Sequence, residues 1–188
     1  MFTEKTLIAD KCEAMITRGA AHSEATSISG YYTVECFGTD GALKWKEDIH
    51  NLVTTVGKNL TMDTVLGNSA AGAVVMGLKG TGTASASDTQ SSHAGWLEVG
   101  LANAPTYSGN RKTPTFSAAS SGAKTTSSAV SFSMTSSGTV AGCFINIGGS
   151  ATIDNTTGTL FSAGDFTGGS KTVSSGDTLS VTYTATAA

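Results

Sequence analysis

Residues 129–149 read AVSFSMTSSGTVAGCFINIGG. Val130, Phe132 and Met134 alternate with serines, the period of two that places apolar side chains on one face of a β-strand and polar ones on the other. After Ser136-Ser137-Gly138 the chain continues as a short apolar run, Val140 to Ile147, bounded by glycines. Two strands joined at a Ser-Ser-Gly turn, and hence a β-hairpin, is the expected reading.

Working outward, the same kind of segment recurs. AVVMGLKG (73–80), GWLEVGLA (95–102), RKTPTF (111–116), GTLFSA (158–163) and DTLSVTYTATA (177–187) are short apolar or alternating runs separated by Gly, Ser, Asn and Asp clusters. Strands at this spacing predict a mainly β body of β-sandwich or jelly-roll type. Phe116, Phe132, Phe144, Ile145, Ile147, Phe161, Leu179, Val181 and Tyr183 are its candidate core. Upstream, Tyr32, Val34 and Cys36 alternate with Tyr31, Thr33 and Glu35, and Leu43 and Trp45 with Lys44 and Lys46, around an Asp40-Gly41 pair. That pattern predicts a hairpin, because its turn requires the positive φ that Asp and Gly tolerate. A short helix is expected over 51–66, with Asn51 as N-cap, Leu52, Val53, Val56, Leu60 and Val65 in helical period despite Gly57, and Gly67-Asn68 at its end.

Residues 3–18 place Leu7, Ile8, Cys12, Met15 and Ile16 at intervals of three and four, followed by Gly19, which predicts a second helix. Residues 20–29 read as a linker. The chain thus divides into an N-terminal helical arm, 1–29, and a β-rich domain, 30–188. A helix this short gains stability from a surface to lie on. Leu7, Ile8, Met15 and Ile16 are therefore candidate partner-binding residues, against either a neighbouring protein or the chain's own domain.

The 188 residues suit one domain, which at this size buries about 70% of its unfolded surface. Charged residues make up 13%, about half of the ~25% usual for soluble domains. Fourteen of the 25 charged side chains lie in residues 1–60, so a charged head precedes a nearly neutral body. A net charge of -3 argues against nucleic acid as a partner, since phosphate binding needs clustered Lys and Arg. Cys12, Cys36 and Cys143 lack CxxC spacing and read as reduced, buried thiols. The first 20 residues show no signal-peptide pattern, and no apolar run approaches the ~20 residues of a membrane span. Synthesis in a cytosol, without membrane insertion, is the expectation.

Catalytic and cofactor motifs are wanting. His22, His50 and His93 form no HxxxH or HExxH pair, no GxSxG elbow occurs, and Ser92 beside His93 reads as loop. Lys79-Gly80-Thr81-Gly82-Thr83 lacks the Gly-Lys-Ser/Thr ending of a phosphate-binding P-loop and reads as a tight turn. Asp154, Asp165 and Asp177 are single acids in Gly/Ser/Thr-rich surroundings, and turn formation is preferred over calcium binding. Tyr31, Tyr32, Trp45, Trp96 and Tyr107 are candidates for a sugar-stacking face, with core packing the commoner use. No enzyme activity, metal or cofactor is expected.

The order of HNLVTTVGKNL (50–60), GLKGTGTASASDTQ (77–90), the Arg111-Lys112 segment, VSFSMTSSGTVAGCFINIGG (130–149), GTLFSAGDF (158–166) and VSSGDTLSVTYTATA (173–187) resembles small structural proteins of tailed phages. The resemblance covers about residues 31–186, and its specificity lies in the order of the motifs. It implies a β-sandwich or jelly-roll body, often trimeric, without catalytic residues. Trp96 and Glu98 within a Gly-bounded strand, and the N-terminal extension, depart from the pattern. The expected function is that of a virion protein, foremost a capsid decoration (cement) protein bridging capsid subunits. The alternative is a tail, baseplate or fibre-adaptor protein with receptor or glycan contact, ahead of a carbohydrate-binding module and a hydrolase. Its partners would be copies of itself, as a homotrimer, and the major capsid protein or other virion proteins.

Overall fold

The computed structural model describes residues 27–188. The helix expected over 3–18, with Leu7, Ile8, Met15 and Ile16, lies outside the described residues. Within them the chain is mainly β, with twelve strands and one helix. In order these are β1 (Ile28–Phe37), β2 (Leu43–His50), β3 (Leu52–Val53), α1 (Thr55–Val65), β4 (Val74–Gly82), β5 (Trp96–Val99), β6 (Ala123–Thr125), β7 (Val130–Ser133), β8 (Gly138–Val140), β9 (Gly142–Ile147), β10 (Thr159–Asp165), β11 (Lys171–Val173) and β12 (Thr178–Ala187). A first five-stranded sheet runs β2-β1-β12-β6, with β7 also on β12. A second runs β3-β10-β9-β4-β5, and β8 pairs with β11. Every pairing is antiparallel.

The Asp-Gly hairpin forms as its alternation requires. Tyr31–Cys36 pair with Trp45–His50, Tyr32, Val34 and Cys36 point into the core, and Gly41 takes φ 77° in the turn. β1 starts two residues before the expected body, because Ile28 and Ser29 pair with Ala187 and Thr186.

The stretch 129–149 departs from expectation. Ser136–Gly138 does not turn a hairpin: Val130–Ser133 pair with Thr178–Val181 in the first sheet, while Gly142–Ile147 lie between β4 and β10 in the second. The segment crosses from one sheet to the other. The physical reason lies in the two burial patterns. β7 alternates buried with exposed and needs cover on one face only, whereas Gly142–Asn146 are all buried and require neighbours on both sides. RKTPTF forms no continuous strand, since Arg111 N–H is taken by Ala151 O at 2.9 Å, Pro114 has no N–H, and the segment makes only isolated bridges, Lys112 to Met76 and Phe116 to Thr126.

α1 begins later than expected. Leu52 and Val53 first pair with Ala163 and Ser162, and Thr54 then caps the helix by accepting the Gly57 N–H at 3.0 Å. Asn51 instead donates from Nδ2 to Tyr183 Oη at 2.9 Å. Gly57 is required rather than merely tolerated, because a Cβ there would lie 2.3 Å from Phe161 O. The helix backbone thus sits directly on β10. At the far end Gly67 takes φ 80° and Asn68 N–H bonds to Asp63 O at 2.8 Å, the glycine-terminated ending expected.

One apolar cluster takes side chains from both five-stranded sheets, among them Tyr32, Val34, Met76, Leu78, Phe132, Ile145, Leu179 and Val181, all 2% exposed or less. Each such burial is worth about 1.5–3 kcal/mol.

Candidate functional site

Strand alternation gives the second sheet two unlike faces. Met76, Leu78, Val99, Cys143 and Ile145 join the main core, while Lys79, Trp96, Glu98, Phe144 and Asn146 point the other way. On that outer face Trp96, Phe144, Leu160 and Ala163 form a second, smaller apolar cluster. Two loops hold onto it by side-chain bonds. Trp96 Nε1 donates to Asp88 Oδ2 at 2.9 Å, and Asn146 Nδ2 donates to Gln90 Oε1 at 2.8 Å and Thr157 O at 3.0 Å.

A buried ion pair locks the same face. Arg111 donates from Nε to Glu98 Oε1 at 2.8 Å and from Nη2 to Glu98 Oε2 at 2.6 Å. Its remaining contacts are Ser150 O at 3.0 Å, Asn155 O at 2.7 Å and the Phe144 ring at 5.4 Å. Glu98 Oε2 also accepts Asp154 N–H at 3.0 Å. Lys79 is wholly buried, donates to Gly82 O and pairs with Asp165. Trp96 and Glu98 are therefore the apolar and ionic anchors of this face.

The residues singled out from sequence mostly serve packing. The Lys79–Thr83 segment offers no free cradle, because Lys79 is engaged with Asp165 and a Cβ at Gly82 would lie 1.9 Å from Gly95 O. Asp165 ends β10 rather than making a turn, whereas Asp154 sits in a loop at φ 62°. Tyr32, Trp96 and Tyr107 are buried and Tyr31 is exposed, so the five aromatics share no open face. His93 stacks on Trp96 at 4.0 Å between ring centroids, and His50 is exposed on β2. Among the described residues, no three His, Cys, Asp or Glu side chains gather to hold a metal, and no helix is long and apolar enough to cross a membrane.

Cys36 and Cys143 are free and buried, as expected, while Cys12 lies outside the described residues. Burial, then the neighbouring Asp177, pushes the Cys36 thiol up to about 11. Burial would raise Asp177 as well, but Lys44 Nζ at 2.6 Å and the Ser174 N–H at 2.8 Å outweigh it and hold the carboxyl below its ordinary range. A depressed folded-state value contributes stability that is present above the unfolded value, about 4, and lost as pH falls through the folded one. Asp177→Asn should therefore flatten the acid side of a plot of melting temperature against pH below about pH 4. An unchanged acid limb would show that the β11–β12 turn does not depend on this charge.

Besides Tyr31, Leu43 and Leu52 on the first strands, large apolar side chains stay exposed at α1 and next to β5. On α1 and its C-cap, Met62, Val65 and Leu66 are 54%, 73% and 75% exposed, beside a shallow apolar depression lined by Leu60, Thr64, Ala71 and Ile147. At the β5 edge of the second sheet Leu97 is 59% exposed along a groove with Gly80, Thr81 and Ala102, and Leu101, just past β5, is 63% exposed. α1 sits on β10 and Leu97 on β5, three strands away, roughly 14 Å at ~4.8 Å per strand. Five of the charged side chains beyond residue 60, Lys79, Asp88, Glu98, Arg111 and Asp177, are buried, so the surface of this body carries even less charge than its composition implies. Sequence reasoning assigned Leu60 and Val65 to the helix's packing stripe. It gave no signal for the outward-facing apolar pair Val65-Leu66, because only the tertiary approach of Gly57 to β10 sets which face is covered.

The chain matches no family model, no curated protein and no solved structure.

Proposed function

We propose that this protein is a structural component of a tailed-phage particle, foremost a head decoration protein, in which the two sheets pack as a β-sandwich and bridge neighbouring capsid subunits. The observation that carries this reading is the pair of separate exposed apolar sites, Met62, Val65 and Leu66 at α1 over β10 and Leu97 on β5, on a body of low surface charge. Exposed apolar groups gathered together mark contact surfaces, and two separate sites suit a bridge better than a single-partner interface. Each fully covered aliphatic side chain returns about 1.5–3 kcal/mol, and many copies on a lattice multiply a modest contact through effective concentration. The resemblance of the motif order to that of small phage structural proteins favours the same reading.

The proposed assembly is a homotrimer. β2, at an outer edge of the first sheet, carries Lys44, Lys46, Glu47 and Asp48, charges that discourage strand addition. Contacts between copies would therefore use the apolar patches rather than that edge. The test is the triple variant Met62→Asp, Val65→Asp, Leu66→Asp. All three side chains are exposed, so melting should shift by no more than about 0.5 kcal/mol per site, while attachment to purified particles should weaken at least about tenfold, or ~1.4 kcal/mol. Undiminished attachment of the folded variant would refute the α1 patch as a contact.

A further inference from the structure

An apolar slot of about 170 Å³ opens between the two five-stranded sheets. Tyr183 and Ala185 of β12 wall one side, and Ile145, Ile147 and Phe161 the other. Its size falls below the roughly 300–1,000 Å³ of pockets that enclose a drug-sized ligand. One or two aliphatic side chains match it better.

The described chain begins beside this slot. Ser27 N–H donates to Ala188 O at 2.6 Å, and Ala188 N–H donates back to Ser27 O at 3.0 Å. Ala185 is three residues from Ala188, about 10 Å along a strand. Twenty-six residues precede Ser27, and the large apolar pair nearest to it is Met15-Ile16. The intervening TRGAAHSEAT (17–26) offers no large apolar side chain. Extended, those residues span up to about 35 Å, several times the distance to the slot, so the chain's own segment is available there at high effective concentration without any second molecule.

We propose that Met15 and Ile16 fill this slot in the same chain. Of the two surfaces expected for the N-terminal segment, this selects its own domain, and it leaves the α1 and β5 patches free for neighbours. The inference does not depend on the particle role.

The test uses the full 188-residue protein, isotopically labelled for nuclear Overhauser spectroscopy. Contacts are expected from the side chains of Ile147 and Phe161 to the methyls of Met15 or Ile16. In a mixture of labelled and unlabelled chains they should stay within one chain. Contacts seen only between chains would assign the slot to a second copy's segment and overturn the proposal, as would no contact at all. In the double variant Met15→Asp, Ile16→Asp the Ile147 methyl resonances should shift, and protease cleavage within 17–26 should accelerate at least tenfold. Unchanged resonances and cleavage would also overturn it.

Discussion

Replacing Arg111 by alanine is expected to cost about 3–5 kcal/mol, because it strands the buried Glu98 carboxylate without its partner. For a domain of this size that lowers the melting temperature by roughly 10 °C. Glu98→Ala should cost a similar amount, since Arg111 would keep two carbonyls, Ser150 O and Asn155 O, and the Phe144 ring, but no anion, for a full charge. The double variant is the sharper measurement. Its cost should fall short of the sum of the two single costs by about 2 kcal/mol, the mark of side chains that interact directly. Additive costs in thermal or denaturant unfolding would mean that the pair is not the lock of the outer face.

Gly82→Ala is expected to be nearly as damaging. The residue takes φ 109°, and its Cβ would meet Gly95 O at 1.9 Å, backbone that cannot rotate away. Strained backbone and overpacking each cost about 1–3 kcal/mol. Because β4 and β5 pair at Gly82 and Trp96, the damage should reach the Leu97 edge. Gly41→Ala is the control. Its φ is 77° but nothing lies within 4 Å of the added carbon, so only the conformational cost of about 1 kcal/mol remains. Equal melting temperatures for the two variants would contradict the close approach of β4 to Gly95.

These two sites show where sequence reading stops. The period of two in Tyr32, Val34 and Cys36 reports which side chains face inward, and Asp40-Gly41 reports a turn; both are local, and the β1–β2 hairpin was legible from them. Periodicity does not name a strand's partner. Val130–Ser133 and Gly142–Ile147 read as two strands of one hairpin, yet they sit in different sheets. The N-cap slipped from Asn51 to Thr54 because pairing of Leu52-Val53 with β10 outranks the cap preference of Asn51. Nothing along the chain reveals that Glu98 and Arg111 meet across 13 residues at full burial. Gly57 likewise read as a weakness in a helix, and its reason exists only where α1 rests on Phe161. The exposed patches were hidden for the same cause: apolar positions on α1 could be counted, but not the face that β10 covers.

The bridging role is tested most directly by a cryo-electron microscopic reconstruction of intact particles in which this chain is located. The β body should lie on the outside of the head, at junctions between capsid subunits, with the Met62-Val65-Leu66 face and the Leu97 edge against different neighbours. Density for the chain confined to the tail, or its absence from the particle, would contradict it.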